Sequence, residues 1–292
     1  MPPSILRFAA ILLFGFACSG AASPPQPEPS PSGRAPNEPR GARPTAAPAE
    51  PDPTTVPSAE AAAAPEPRRS PPRLDLWGEL LARFATPDGG FRYAALAADP
   101  RQHERLRAVV AAIGDASDEG WNRDEALAFY INAYNALTVA SVLELWPIAS
   151  VMEVEGFFDE RTHQVAGREM TLNELENDIL RSDVYAEPRI HFAVNCASAS
   201  CPPLQAEPFA AETLDVALAT AARSFVRATT RREGRVVRLS KLFEWFAADF
   251  ERVGGVRAFV ASQLPEADAD AVRDPRTRLR YDEYDWSLNA RP

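Results

Sequence analysis

Residues 124–146 read DEALAFYINAYNALTVASVLELW. Phe129, Tyr130, Ile131, Tyr134, Leu137, Val139, Val142, Leu143 and Trp146 leave no side of a 3.6-residue helix wholly polar, and Pro147 marks its end. A helix apolar on nearly every side belongs in the middle of a fold. Asn132 and Asn135 interrupt it three residues apart, and so close together on its surface. Buried amides need partners, so the pair either ties the core together or lines a pocket.

Working outward, Leu76, Trp77, Leu80, Leu81 and Phe84 give one helical stripe, and Leu106, Val109, Val110 and Ile113 give another. Beyond the central helix, Arg161 to Met170 reads as a hairpin turning at Ala166 and Gly167. Thr171 then starts a helix, with Glu174 completing a capping box and Leu172, Leu175, Ile179 and Leu180 forming its apolar face. Glu176 sits in that face, so its carboxylate is either paired, raised in pKa, or a rim group reaching solvent.

The stretch 183–204, DVYAEPRIHFAVNCASASCPPL, holds two of the three cysteines and one of the three histidines. Arg189 to Asn195 alternates as a strand would, with His191, Ala193 and Asn195 on one side, and Pro188 argues against helix. Cys196 and Cys201 bracket a four-residue turn, a spacing that invites a disulfide in an exported chain. Two thiols and one histidine fall short of a structural zinc site, so no metal is expected, and no cofactor is implied. Helices are expected over 210–229, 240–250 and 253–264, a strand over 236–239, a loop over 265–276 and an extended closing piece. Lys241, the only lysine, stands near the start of the second of these helices. The fold class expected is α+β, a helix-rich single domain over residues 73–292 with a few short strands and a small sheet.

The first 72 residues read as no folded domain. Arg7 and the run FAAILLFGFAC suit the core of a secretory signal over residues 1–18. Cleavage before Cys18 would leave a lipid-anchored protein of the periplasm or outer membrane; ordinary cleavage within 19–22 would leave a soluble secreted one, and globomycin sensitivity separates the two. Between Ser23 and Pro72 lie sixteen of the 28 prolines and almost nothing large and apolar, so residues 19–72 read as a disordered linker. The net charge of −10 argues against nucleic acid and against an anionic membrane surface, leaving a lipidated Cys18 as the membrane contact.

The segments AFYINAYNAL, TLNELENDIL, PRIHFAVNCASASCPPL, LSKLFEWFAADF and YDWSLN, in this order, resemble the family called domain of unknown function 547. The resemblance covers about residues 84–289 and implies no activity, since the family has none established. It implies that Asn132, Asn135, Glu176, His191, Cys196, Cys201, Lys241 and the closing Asp285–Trp286 are signature positions meeting at one pocket.

Three functions follow. The sequence favours a binding module whose amides, carboxylate and histidine hold a small ligand or peptide, with the cysteines as a staple. Alternatively Cys201 or Cys196 is a nucleophile, with His191 as base and Glu176 or Asn135 orienting it. The third reading is a thiol–disulfide redox role for the two cysteines.

Overall fold

The computed structural model describes residues 71–72 and 74–292. The expected signal segment, Cys18 and the linker apart from Pro71 and Pro72 lie outside the described residues. Nine α-helices are described: α1 (Asp75–Phe84), α2 (Tyr93–Ala97), α3 (Pro100–Gly114), α4 (Arg123–Glu144), α5 (Leu172–Glu174), α6 (Leu214–Thr229), α7 (Leu242–Trp245), α8 (Gly255–Gln263) and α9 (Glu266–Arg273). Five short strands accompany them: β1 (Thr162–Val165), β2 (Arg168–Thr171), β3 (Arg231–Glu233), β4 (Val236–Leu239) and β5 (Arg278–Tyr281). The class is α+β and helix-rich.

Helix α4 is the axis. A capping box closes its start, with the Asn122 side chain accepting from the Asp124 and Glu125 backbone N–H groups and Glu125 reaching back. Residues 127–139 are buried without a break. The helix is long and apolar enough to cross a bilayer, but 89% of its most apolar window is covered by the rest of the domain, which makes it a core helix. Helix α3 and the segment after β2 pack along it.

Strands β1 and β2 form the expected hairpin, closed by Ala166 at φ 49° and Gly167 at φ 72°. Two positive φ values are what a tight hairpin turn needs, and alanine is a costly choice for the first. The end of α3 holds it there: the Ala166 N–H donates to the Ile113 carbonyl and the Gly167 N–H to the Gly114 carbonyl, both at 2.9 Å. The second sheet has the order β3-β4-β5, antiparallel then parallel.

Three expectations are corrected. Residues 189–195 form no strand: Pro188–Phe192 is a 3-10 turn, started by Glu187, whose side chain accepts from the Arg189 N–H. Proline at the first helical position lacks only an N–H that would have had no partner there, and 190–195 are buried on all sides, so alternation carried no information. Residues 265–276 are not a loop throughout, because Glu266–Arg273 is helical. Its Ala269 and Val272, three apart, are buried, and the helix packs on α8. The expected helix 240–250 divides into α7 and a 3-10 stretch, Ala247–Val253.

Two apolar clusters result. The larger surrounds α4; the smaller gathers Phe192, Phe225, Phe243, Phe250 and Phe259. The 3-10 turn joins them, since Ile190 and Ala193 enter the first cluster and Phe192 the second. His191 stands at that seam.

Candidate functional site

At the seam a cavity of about 210 Å³ opens. Tyr134 of α4 and Asn173 and Glu176 of the following segment form one side. Cys196, Cys201 and Pro202 of the cysteine turn form another. Leu242, Trp245 and Phe246, with Tyr284 and Trp286 from the closing extended chain, complete it around His191.

Glu176 owes its position to an unusual helix. Thr171 caps the segment as expected, its hydroxyl accepting from the Glu174 N–H at 3.1 Å, but Leu175–Leu180 winds as a π-helix. Such wide turns often sit at functional sites. Burial, together with the nearby charge of Glu176, holds the Tyr134 phenol well above its ordinary range. Among the described residues no arginine, lysine or histidine forms an ion pair with Glu176.

His191 is almost wholly buried and its Nε2 lies 2.7 Å from Asp249 Oδ2. Arg181 grips the same carboxylate with two hydrogen bonds, Nε to Oδ2 at 2.7 Å and Nη2 to Oδ1 at 3.0 Å. Phe246 stacks on the imidazole at 4.0 Å between centroids, and the Arg181 guanidinium carbon lies 4.9 Å from the same ring. Burial works to raise the Asp249 pKa, but the hydrogen bonds and charges of His191 and Arg181 outweigh it and hold the carboxyl well below the usual range. An ionised Asp249 can only accept, so Nε2 donates to it, leaving Nδ1 outside this pairing. That Nδ1 is buried and has no hydrogen-bond partner.

The sulfurs of Cys196 and Cys201 lie at disulfide distance, with Cα atoms 6.2 Å apart. Tyr284 spans the bridge, its oxygen 3.2 Å from each sulfur. Burial, and the charge of Glu176 against a hydrogen bond from Ser198, push its phenol up to about 12. The closing chain is laced onto the cysteine turn by backbone hydrogen bonds, Ala199 N–H to Ser287 O at 2.8 Å and Asn289 N–H to Ala197 O at 2.9 Å. Trp245, Tyr284 and Trp286 form one aromatic group with centroids 4.6–5.8 Å apart.

Of the residues expected at one pocket, Glu176, His191, Cys196, Cys201 and Trp286 meet. Asn132 and Asn135 do not line this cavity. Asn132 exchanges two hydrogen bonds with the Phe209 backbone, at 2.7 and 3.0 Å, and borders a separate groove. Asn135 bonds the Ala193 carbonyl and the Asn195 N–H, at 2.9 and 2.8 Å. Lys241 is ion-paired with Glu244 and lines a neighbouring cleft on the far side of Cys201 and Tyr284. Asp285 caps the Ser287 N–H instead of facing the cavity. Sequence reasoning missed Asp249, Arg181, Tyr134 and Tyr284. A signal for the first existed: Asp249 is the only charge in the short apolar run Phe246 to Phe250. Among the described residues no three of His, Cys, Asp and Glu are grouped to hold a metal ion.

Residues 119–226 match the model of the family described as a protein of unknown function, DUF547. The DUF547 match runs from just before α4 through the cysteine turn into α6, so Tyr134, Glu176, His191 and both cysteines lie inside it. Asp249, Tyr284 and Trp286 lie beyond. No curated protein matches the chain. No solved structure matches it either.

Proposed function

We propose that the domain is a binding module that takes the end of a small ligand or peptide into the aromatic cavity, and that the preferred end carries an ammonium group. The observation carrying this reading is Glu176, a carboxylate that the charge of Arg181 reaches but that forms no ion pair among the described residues, in a cavity also lined by Tyr134, Trp245, Tyr284 and Trp286. Ring faces and a carboxylate both favour a cation. A volume of about 210 Å³ suits a side-chain-sized group rather than a whole drug-sized molecule. In this reading the expected lipidation of Cys18 and the Pro-rich linker hold the module at the cell envelope, which rests on the sequence of residues 1–72.

Trp245 and Trp286 provide a fluorescence readout. Titration with n-butylammonium, tetramethylammonium and n-butanol should show the cations binding about tenfold or more tightly than the alcohol, from roughly 1–2 kcal/mol of cation–π and charge attraction. Glu176→Gln should abolish most of that difference. If none of the three changes the fluorescence at millimolar concentration, the reading fails.

A second reading, a cysteine-dependent hydrolase or transferase, is favoured by the His191–Asp249 pair. Asp249 would be the orienting group in place of Glu176 or Asn135, His191 the base, and a reduced Cys196 or Cys201 the nucleophile. It requires that iodoacetamide reactivity of the reduced chain fall when His191 is replaced by Ala; equal reactivity rejects it.

A further inference from the structure

The bridge between Cys196 and Cys201 is placed to exchange, and its two sulfurs are not equivalent. Both cysteines are half-buried and line the cavity, and Cys201 also borders the cleft behind it. Cys201 Sγ receives the Cys196 backbone N–H at 2.9 Å and the Tyr284 O–H at 3.2 Å. Cys196 Sγ has two hydroxyl oxygens near it, Ser198 Oγ at 3.1 Å and Tyr284 Oη at 3.2 Å. The Ser198 and Tyr284 hydroxyl protons rotate and are shared between the two sulfurs and each other. The Cys196 backbone N–H is fixed by the chain, and it points at Cys201.

Hydrogen bonds from fixed donors favour a sulfur that carries negative charge, and in thiol–disulfide exchange the sulfur better able to carry it leaves faster. We propose that the pair is a thiol-exchange site in which an incoming thiolate attacks Cys196 through the cavity and Cys201 departs. The step balances. A thiolate of a small thiol or a dithiol protein forms a bond to Cys196 Sγ, the Cys196–Cys201 bond breaks, and Cys201 takes the electron pair, facing the Cys196 N–H. A second thiol of the reductant then attacks the incoming sulfur, releasing Cys196 and leaving the reductant as a disulfide. The chain gains two electrons and two protons, and the reductant loses them. In the cleft that Cys201 also borders, Lys241 is held by Glu244, and in the cavity the charge of Glu176 acts on Tyr284.

The test uses the purified oxidised chain, reduced glutathione at pH 7 and an iodoacetamide quench at short times, with fragment-ion mapping of the peptide holding both cysteines. Glutathione should be found on Cys196 and the alkyl group on Cys201, favoured over the opposite arrangement by on the order of tenfold. Tyr284→Phe, which keeps the ring and removes the shared hydroxyl, should leave that preference in place, because the Cys196 N–H remains. Glutathione mainly on Cys201, equal amounts on both, no adduct after overnight exposure, or a preference lost in Tyr284→Phe would each overturn the proposal. The wild-type map stands independently of the variant, and none of these readouts requires a ligand in the cavity.

Discussion

Asn132 and Asn135 lie in the buried stretch of α4, and each forms a closed pair of hydrogen bonds with a stretch of backbone that has no helix or strand of its own. The chain around Phe209 and around Ala193–Asn195 passes through the interior, where an unmet N–H or carbonyl costs free energy comparable to a lost hydrogen bond. An asparagine amide offers one donor and one acceptor at the spacing of such a backbone pair, which is why it stands where leucine would pack better. Replacing Asn132 by Ala would leave the Phe209 N–H and carbonyl unmet and open a small gap. The expected loss is about 2–4 kcal/mol in unfolding free energy. Urea denaturation followed by circular dichroism should show a lowered midpoint at an unchanged slope, and a midpoint within error of wild type would mean that water or a neighbour replaces the amide.

At the scale of elements, legibility followed periodicity. Helices α1, α3, α4 and α6 and the β1–β2 hairpin were readable because one face or all faces of each are apolar at a regular spacing, and α4 announced its own centrality. The segment 188–195 was not readable in that way. Buried from 190 to 195, it offers no contrast between faces there, and a proline at its start is compatible with a helical first turn. Helix α9 was hidden for the opposite reason, since its buried positions include alanines, which register weakly as apolar beside three acidic residues. The site divides along the same line. Glu176, His191 and the cysteines were visible as polar or reactive groups inside apolar patterns. Arg181, Asp249, Tyr134 and Tyr284 come from elements far apart in sequence, and only the docking of the π-helical turn, the 3-10 stretch and the closing chain brings them together.

For the molecule as a whole, the Arg181–Asp249–His191 group lies where the two apolar clusters meet. Arg181 follows the segment packed on α4, Asp249 belongs to the stretch carrying Phe250 of the second cluster, and His191 lies between Ile190 and Phe192. Its carboxylate is the ionisable group through which acid should loosen the domain. The native pKa of Asp249 is depressed below its ordinary 3.8, so the unfolded chain binds this proton more readily. Above roughly pH 5 both states are ionised and the contribution is complete; as pH falls through 3.8 and toward the lower native value, stability is progressively lost. Asp88, held down to about 2 by hydrogen bonds from Thr86 and Arg291, and Asp274, held down to about 2 by Arg276, have the same sign. Both are exposed, and salt should screen them. Asp249→Asn should therefore cost about 2 kcal/mol or more at pH 7, where Arg181 and His191 lose their anion, and should flatten the decline in stability between pH 5 and 3 in about 0.5 M salt. Urea midpoints measured across that range for both proteins check it. Parallel curves, offset but equally steep, would move the acid sensitivity to another group and remove Asp249 as the electrostatic link between the two clusters.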